Sequence, residues 1–204
     1  MMKICKLDGI KLLQELGIPT VELMDISKII TGQIPIDTGN GISVRLSPKN
    51  KNVKWDVGLP SINRRKDLSE VREFIQEYIG RYEVFAHETV RPEILGTVSR
   101  FSDELAIETY EDYDKKHEQE VSNRLIVPVI GDRFLINKMR LQKNDEKDFN
   151  RFKEVIMYLK KIPFEKYDAE YVFQDGKVIF MDFTVPDERI LSQFRGSNSS
   201  EVER

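Results

Sequence analysis

Two apolar runs flanking Gln174-Asp175-Gly176-Lys177 put the tightest constraint on this chain. A central Asp-Gly between such runs is a strong hairpin signal, because the favoured two-residue turn needs residues that tolerate positive φ. The open end of the hairpin carries acids: Asp168 and Glu170 on the first strand, Asp182 on the second. Such acids can hold a hard cation, since Mg²⁺ takes one or two carboxylates and completes its shell with water and phosphate. Register decides whether they do. A plain two-residue turn at Asp175-Gly176 puts Glu170 opposite Met181, so that Glu170 and Asp182 point to opposite faces. A three-residue turn or a one-residue bulge puts Glu170 opposite Asp182 and Asp168 opposite Thr184. The metal reading therefore requires one extra residue. The plain alternative is an edge hairpin with solvated acids.

With 204 residues, the chain fits one domain of two lobes or two small domains. A net charge of −3, from 32 basic and 35 acidic residues, argues against a nucleic-acid or membrane electrostatic footprint. One cysteine, Cys5, leaves no disulfide framework and suits a cytoplasmic setting. With only His87 and His117 as partners, Cys5 is a weak nucleophile candidate. No signal peptide and no membrane-spanning run is expected.

Residues 8–16 read as a short amphipathic helix stopped by Gly17, and 26–30 as a second. Ile42 to Ser47 alternates as a strand and places Arg45 on its polar face. The stretch to Lys66 reads as a loop. Between Arg45 and Lys66 it holds seven basic residues (Arg45, Lys49, Lys51, Lys54, Arg64, Arg65, Lys66) against one acid, Asp56, a local +6 suited to phosphate. Asp67-Leu68-Ser69-Glu70 opens a helix to about Ile79. Strands follow at 82–87, 94–99, 104–110, 125–130 and 133–139, then an amphipathic helix over 145–161 stopped by Pro163. Between Asp103 and Glu120, eight acids and two lysines make a local −6. Residues 187–204 read as a polar tail. Lys6-Leu7-Asp8-Gly9 looks like the nucleophile motif of polynucleotide ligases and capping enzymes, but no companion motif follows it.

The order of elements resembles the ATP-grasp fold, and within it the N-terminal nucleotide-binding domain of pyruvate phosphate dikinase and phosphoenolpyruvate synthase. Four stretches carry the resemblance: Leu12 to Thr20 with its Gly-Ile-Pro turn, Val44-Arg45-Leu46-Ser47, His87-Glu88-Thr89-Val90 and Asp182-Phe183-Thr184. The resemblance implies an α+β, ATP-grasp-like architecture of two lobes, each with antiparallel strands packed on helices, and a nucleotide cleft between them. It implies an N-terminal lobe over 1–85 and a C-terminal lobe over 86–186 that holds the acidic hairpin. The cofactors implied are ATP and Mg²⁺. Arg45 would contact triphosphate oxygens. His87, Glu88 and Val90 would lie at the adenosine pocket, and Glu170 and Asp182 would hold the metal. Lys138 or Arg140 would offset charge on the transferred phosphate. Thr184 stands where the family has Asn, and Thr38-Gly39-Asn40-Gly41 is a poor phosphate flap. The activity implied is that of an ATP-dependent ligase or phosphotransferase. Its acceptor, a small molecule or a protein, is not named by the sequence, and a second copy or a partner chain could complete the site. The alternative is a non-catalytic nucleotide-binding or protein-interaction module with degraded chemistry.

Overall fold

The computed structural model describes residues 6–33, 40–49, 59–110, 123–142 and 146–185. Cys5, Lys51, Lys54, Asp56, the Thr38-Gly39 pair, the acidic run beyond Tyr110 with His117, and residues 187–204 lie outside them.

Two antiparallel sheets carry the fold. The smaller has the order β2-β1-β3, from β1 (Ile42–Pro48), β2 (Ile62–Arg65) and β3 (Tyr82–Glu88). Helices α2 (Ile26–Thr31) and α3 (Leu68–Tyr78) cover one face of it. Each opens on an aspartate: Asp25 accepts from the Ser27 amide, and Asp67 from the Ser69 amide. These bonds satisfy amides that a helix start leaves unpaired. Ile42, Val44, Val71, Ile75 and Ala86 meet beneath the helices, which leaves Arg45 and its neighbours on the opposite face. The expected loop up to Lys66 contains β2, which is polar and pairs only along one edge of β1, so no alternation announces it.

The larger sheet runs β10-β9-β4-β5-β6-β7. Its strands are β4 (Ile94–Arg100), β5 (Glu104–Tyr110), β6 (Asn123–Ile130), β7 (Arg133–Phe134), β9 (Tyr167–Gln174) and β10 (Lys177–Thr184); β8 (Arg140–Leu141) also pairs with β6. The expected strand over 133–139 is two residues long. The chain then turns through a 3₁₀ segment, Ile136–Lys138, and returns as β8. Helix α4 (Glu146–Leu159) lays Phe152, Val155, Ile156 and Leu159 against one face, beside Tyr171, Phe173 and Phe180. Each such side chain contributes about 1.5–3 kcal/mol by leaving water.

Helix α1 (Lys6–Glu15) belongs with this sheet although it comes first in sequence. It packs on β10, and Pro19-Thr20 pairs with the outer edge of the same strand at Phe180. An edge that would otherwise offer unpaired backbone groups is thereby covered. A third cluster, with Leu7, Ile10, Phe85, Leu95, Val172 and Met181, joins the two sheets. The change of sheet falls between Glu88 and Ile94, and α1 packs on the larger sheet.

Candidate functional site

The hairpin of β9 and β10 has a two-residue turn. Asp175 and Gly176 have φ of 52° and 70°, both positive, as this tight turn demands. Pairing then runs in step from Lys177 opposite Gln174 to Phe180 opposite Tyr171. There it slips by one residue: Asp182 faces Glu170 and Thr184 faces Asp168. Met181 is the extra residue of a β-bulge. Of the two ways to bring the carboxylates together, the structure uses the bulge.

The same face of the larger sheet continues the row. Thr97 pairs with Glu170 on one side and with Glu108 on the other. Glu108 is ion-paired with Arg124 and accepts the Tyr110 hydroxyl at 2.9 Å. One row along, Asp168 accepts from the Ser99 hydroxyl at 2.7 Å. A pocket of about 390 Å³ opens over the acids, walled by Lys6, Thr97, Asp168, Glu170, Asp182 and Thr184. Of the three acids in its wall, Glu170 and Asp182 face each other at the bulge, and Asp168 stands opposite Thr184 further along.

Burial pushes the Asp182 carboxyl above the usual range; Lys6 works against that shift, nearby Glu170 reinforces it, and Arg45 opposes it more weakly. Lys6 Nζ lies 3.3 Å from Asp182 Oδ2, while Oδ1 is buried with no hydrogen-bond partner. Burial likewise raises Asp168, offset in part by Ser99.

A second pocket, of about 400 Å³, lies between the sheets and includes Thr20, Leu23, Met24, Asn40, Glu88 and Val90 in its walls. The size suits a small ligand. Its walls come from the strand end of β3, from the extended segment before α2 and from the β9–β10 turn, so both sheets contribute. Asn40 Nδ2 donates to Glu88 Oε1 at 3.4 Å.

Glu88 and Val90 thus line the inter-lobe pocket and Glu170 and Asp182 the acidic one. Arg45 stands half-buried on the cleft face of β1, beside Phe85, and its charge acts on Asp182 and on His87 alike. His87 sits behind the pocket wall, not in it. It is 1% exposed, and its Nδ1 lies 2.8 Å from the Glu88 carbonyl. Burial holds its pKa down, so the ring is neutral and Nδ1–H donates. His87 therefore steadies the backbone at Glu88.

Lys138 and Arg140 are not gathered in. Both are exposed, and Arg140 pairs with Ile126, four strand spacings from Glu170, on the order of 19 Å along the sheet. Of the basic stretch, Lys49 donates to the carbonyls of Ile79 and Gly80 at the end of α3, and Arg65 pairs with Glu70. These two serve the fold. Lys6 is the site residue that sequence reasoning missed: only the packing of α1 on β10 brings it to Asp182, and no local pattern encodes that.

By sequence, the chain matches no family model and no curated protein. By structure it is similar to ACD1 of Ca. Korarchaeum cryptofilum, in complex with coenzyme A, with a TM-score of 0.53 and 10% identity over 90% of this chain and 92% of that one. It is similar to the ATP citrate lyase of Methanothrix soehngenii, in complex with citrate and coenzyme A, with a TM-score of 0.53 and 13% identity over 90% of this chain and 48% of that one. It is also similar to the N5-carboxyaminoimidazole synthase of Aspergillus clavatus, in complex with ADP and 5-aminoimidazole ribonucleotide, with a TM-score of 0.50 and 10% identity. The fold is ATP-grasp-like. This chain spans nearly the whole of the first structure, but only 48% of the lyase and 43% of the synthase. The inter-lobe pocket draws its walls from both sheets, whereas the acidic pocket is walled by α1 and the larger sheet. No helix among the described residues is long and apolar enough to cross a membrane.

Proposed function

We propose that the chain binds ATP in the cleft between its two sheets and uses it as an ATP-dependent ligase or phosphotransferase. The observation that carries this reading is the bulge at Met181, which sets Asp182 opposite Glu170 in the wall of the acidic pocket. Adenosine would occupy the inter-lobe pocket, with Glu88 toward the ribose. Arg45, whose charge acts on Asp182 and His87, would hold phosphate oxygens as a two-pronged donor. The resemblance to the dikinase nucleotide domain at Val44-Arg45-Leu46-Ser47 supports that role.

The residues present fit Mg²⁺. Two carboxylates face each other, and one buried Asp182 oxygen lacks a partner, as a hard cation with a mostly water and phosphate shell would need. When bound, the ion would neutralise phosphate charge. The protein's part is then to position the phosphates and exclude water. Lys138 and Arg140 stand too far across the sheet to share it.

A second reading has one observation in its favour: Lys6 already pairs with Asp182. A module that binds nucleotide without metal chemistry would keep such a pair. Thermal-shift titration with ATP, with and without Mg²⁺, separates the two. A ligand at ~100 times its dissociation constant stabilises by about 2.7 kcal/mol, which a chain of this size shows as a rise of about 5–10 °C. A Mg²⁺-dependent shift supports a metal–nucleotide site, a shift indifferent to Mg²⁺ supports the module, and no shift with ATP above a millimolar would sink the nucleotide site. Arg45→Ala is expected to weaken ATP by about tenfold or more while leaving adenosine within about twofold, because a charge-assisted bond to phosphate is lost. Equal losses for both ligands would remove Arg45 from the phosphate site.

A further inference from the structure

The acidic pocket already holds a cation of the protein's own. Lys6 shares its wall with Glu170 and Asp182, and its ammonium lies 3.3 Å from Asp182 Oδ2. We propose that Lys6 is a displaceable stand-in, so that its ammonium and a divalent metal ion are alternative counter-ions of the Glu170–Asp182 pair. This rests on the reading of that pair as the metal site.

Three observations carry it. First, the partners are unequally anchored. The Lys6 side chain is 41% exposed and the Asp182 side chain 13%, so the amine can return to water along a flexible stem while the carboxylate stays. Second, Lys6 is the first residue of α1, where the positive end of the helix dipole disfavours a cation. Third, Asp182 Oδ1 is buried and unpartnered with Lys6 in place, so the ammonium satisfies only half of the group. A divalent ion at the pair and the ammonium beside it would repel, and the lysine is the one free to move. Metal entry then requires Lys6 to swing out, and the site resists low metal concentrations when phosphate is absent.

Mn²⁺ binding to the whole chain, followed by the loss of the free-ion electron paramagnetic resonance signal, tests this. Wild type, Lys6→Met and Asp182→Asn are compared without nucleotide. Lys6→Met is expected to bind Mn²⁺ about tenfold more tightly than wild type, as removal of one nearby like charge implies, and Asp182→Asn to bind it least. Equal or weaker binding by Lys6→Met overturns the exchange while leaving the metal site standing. No binding by any of the three at millimolar Mn²⁺ overturns both. Circular dichroism of Lys6→Met checks the fold, and a side chain already 41% exposed is expected to leave it intact.

Discussion

Gly9→Ala is expected to lower the melting temperature by about 5–10 °C. A Cβ built on Gly9 would lie 1.9 Å from the carbonyl oxygen of Phe183, a backbone atom that cannot turn aside. Helix α1 would have to lift off β10. Two terms compete. Alanine in a helix is favoured over glycine by about 1 kcal/mol, whereas overpacking costs about 1–3 kcal/mol and more where backbone must move. A contact this short against backbone places the cost at the upper end, a net loss of about 2 kcal/mol or more. At about 2–4 °C per kcal/mol for a chain of this size, the shift is easily measured. Lys11→Ala, on the exposed side of the same helix, is the control and is expected to change little. A Gly9→Ala protein as stable as wild type would show that α1 sits further from β10 than the structure has it.

Asp182→Asn is expected to do two opposite things: abolish metal-dependent nucleotide binding and raise stability at neutral pH. Burial holds the Asp182 carboxyl above its ordinary value. The folded state therefore keeps its proton to higher pH than the unfolded chain does. Stability attributable to this group is present at low pH and is lost as pH rises from the ordinary value near 3.8 through the raised one. Asparagine carries no charge and escapes that loss. Lys6, which is 41% exposed, goes back to water at little cost. The melting temperature of the variant should exceed that of wild type at pH 7, and the gap should close as pH falls toward the ordinary carboxylate range. The metal-dependent part of ATP binding should fall by more than about tenfold, since a charged ligand is gone. A variant less stable than wild type at pH 7 would mean that the Lys6 pair outweighs the burial. The rise in stability also separates loss of binding from loss of fold.

What could be read from residues alone was what local chemistry controls. Asp175-Gly176 announces its own turn. Asp67 with Glu70 announces the start of α3, and alternation from Ile42 to Ser47 puts Arg45 on the polar face of β1. The bulge was visible only as a requirement. Whether the extra residue falls in the turn or at Met181 depends on how Met181 packs with Leu7 and Ile10 of α1, a contact between distant parts of the chain. The same distance hid Lys6. The place of Lys138 and Arg140 was hidden for a related reason: charge is readable in a sequence, but their position beyond β6 is set by sheet order. The burial of His87 behind Glu88 is likewise a product of packing that the residue types do not announce.

The packing of α1 on β10 also sets the order in which the molecule can assemble. The helix is made well before its partner strand, which follows the rest of the larger sheet. Until then Leu7, Ile10 and Leu13 have no permanent cover, and the β9–β10 hairpin, local in sequence, is the natural nucleus on which they close. Loop closure over such a span adds little to the equilibrium cost, since that cost grows only with the logarithm of length. It slows the final step, because contacts far apart in sequence form late. Synthesis therefore leaves the apolar face of α1 waiting for its partner strand, and nascent-chain chaperones should meet it there.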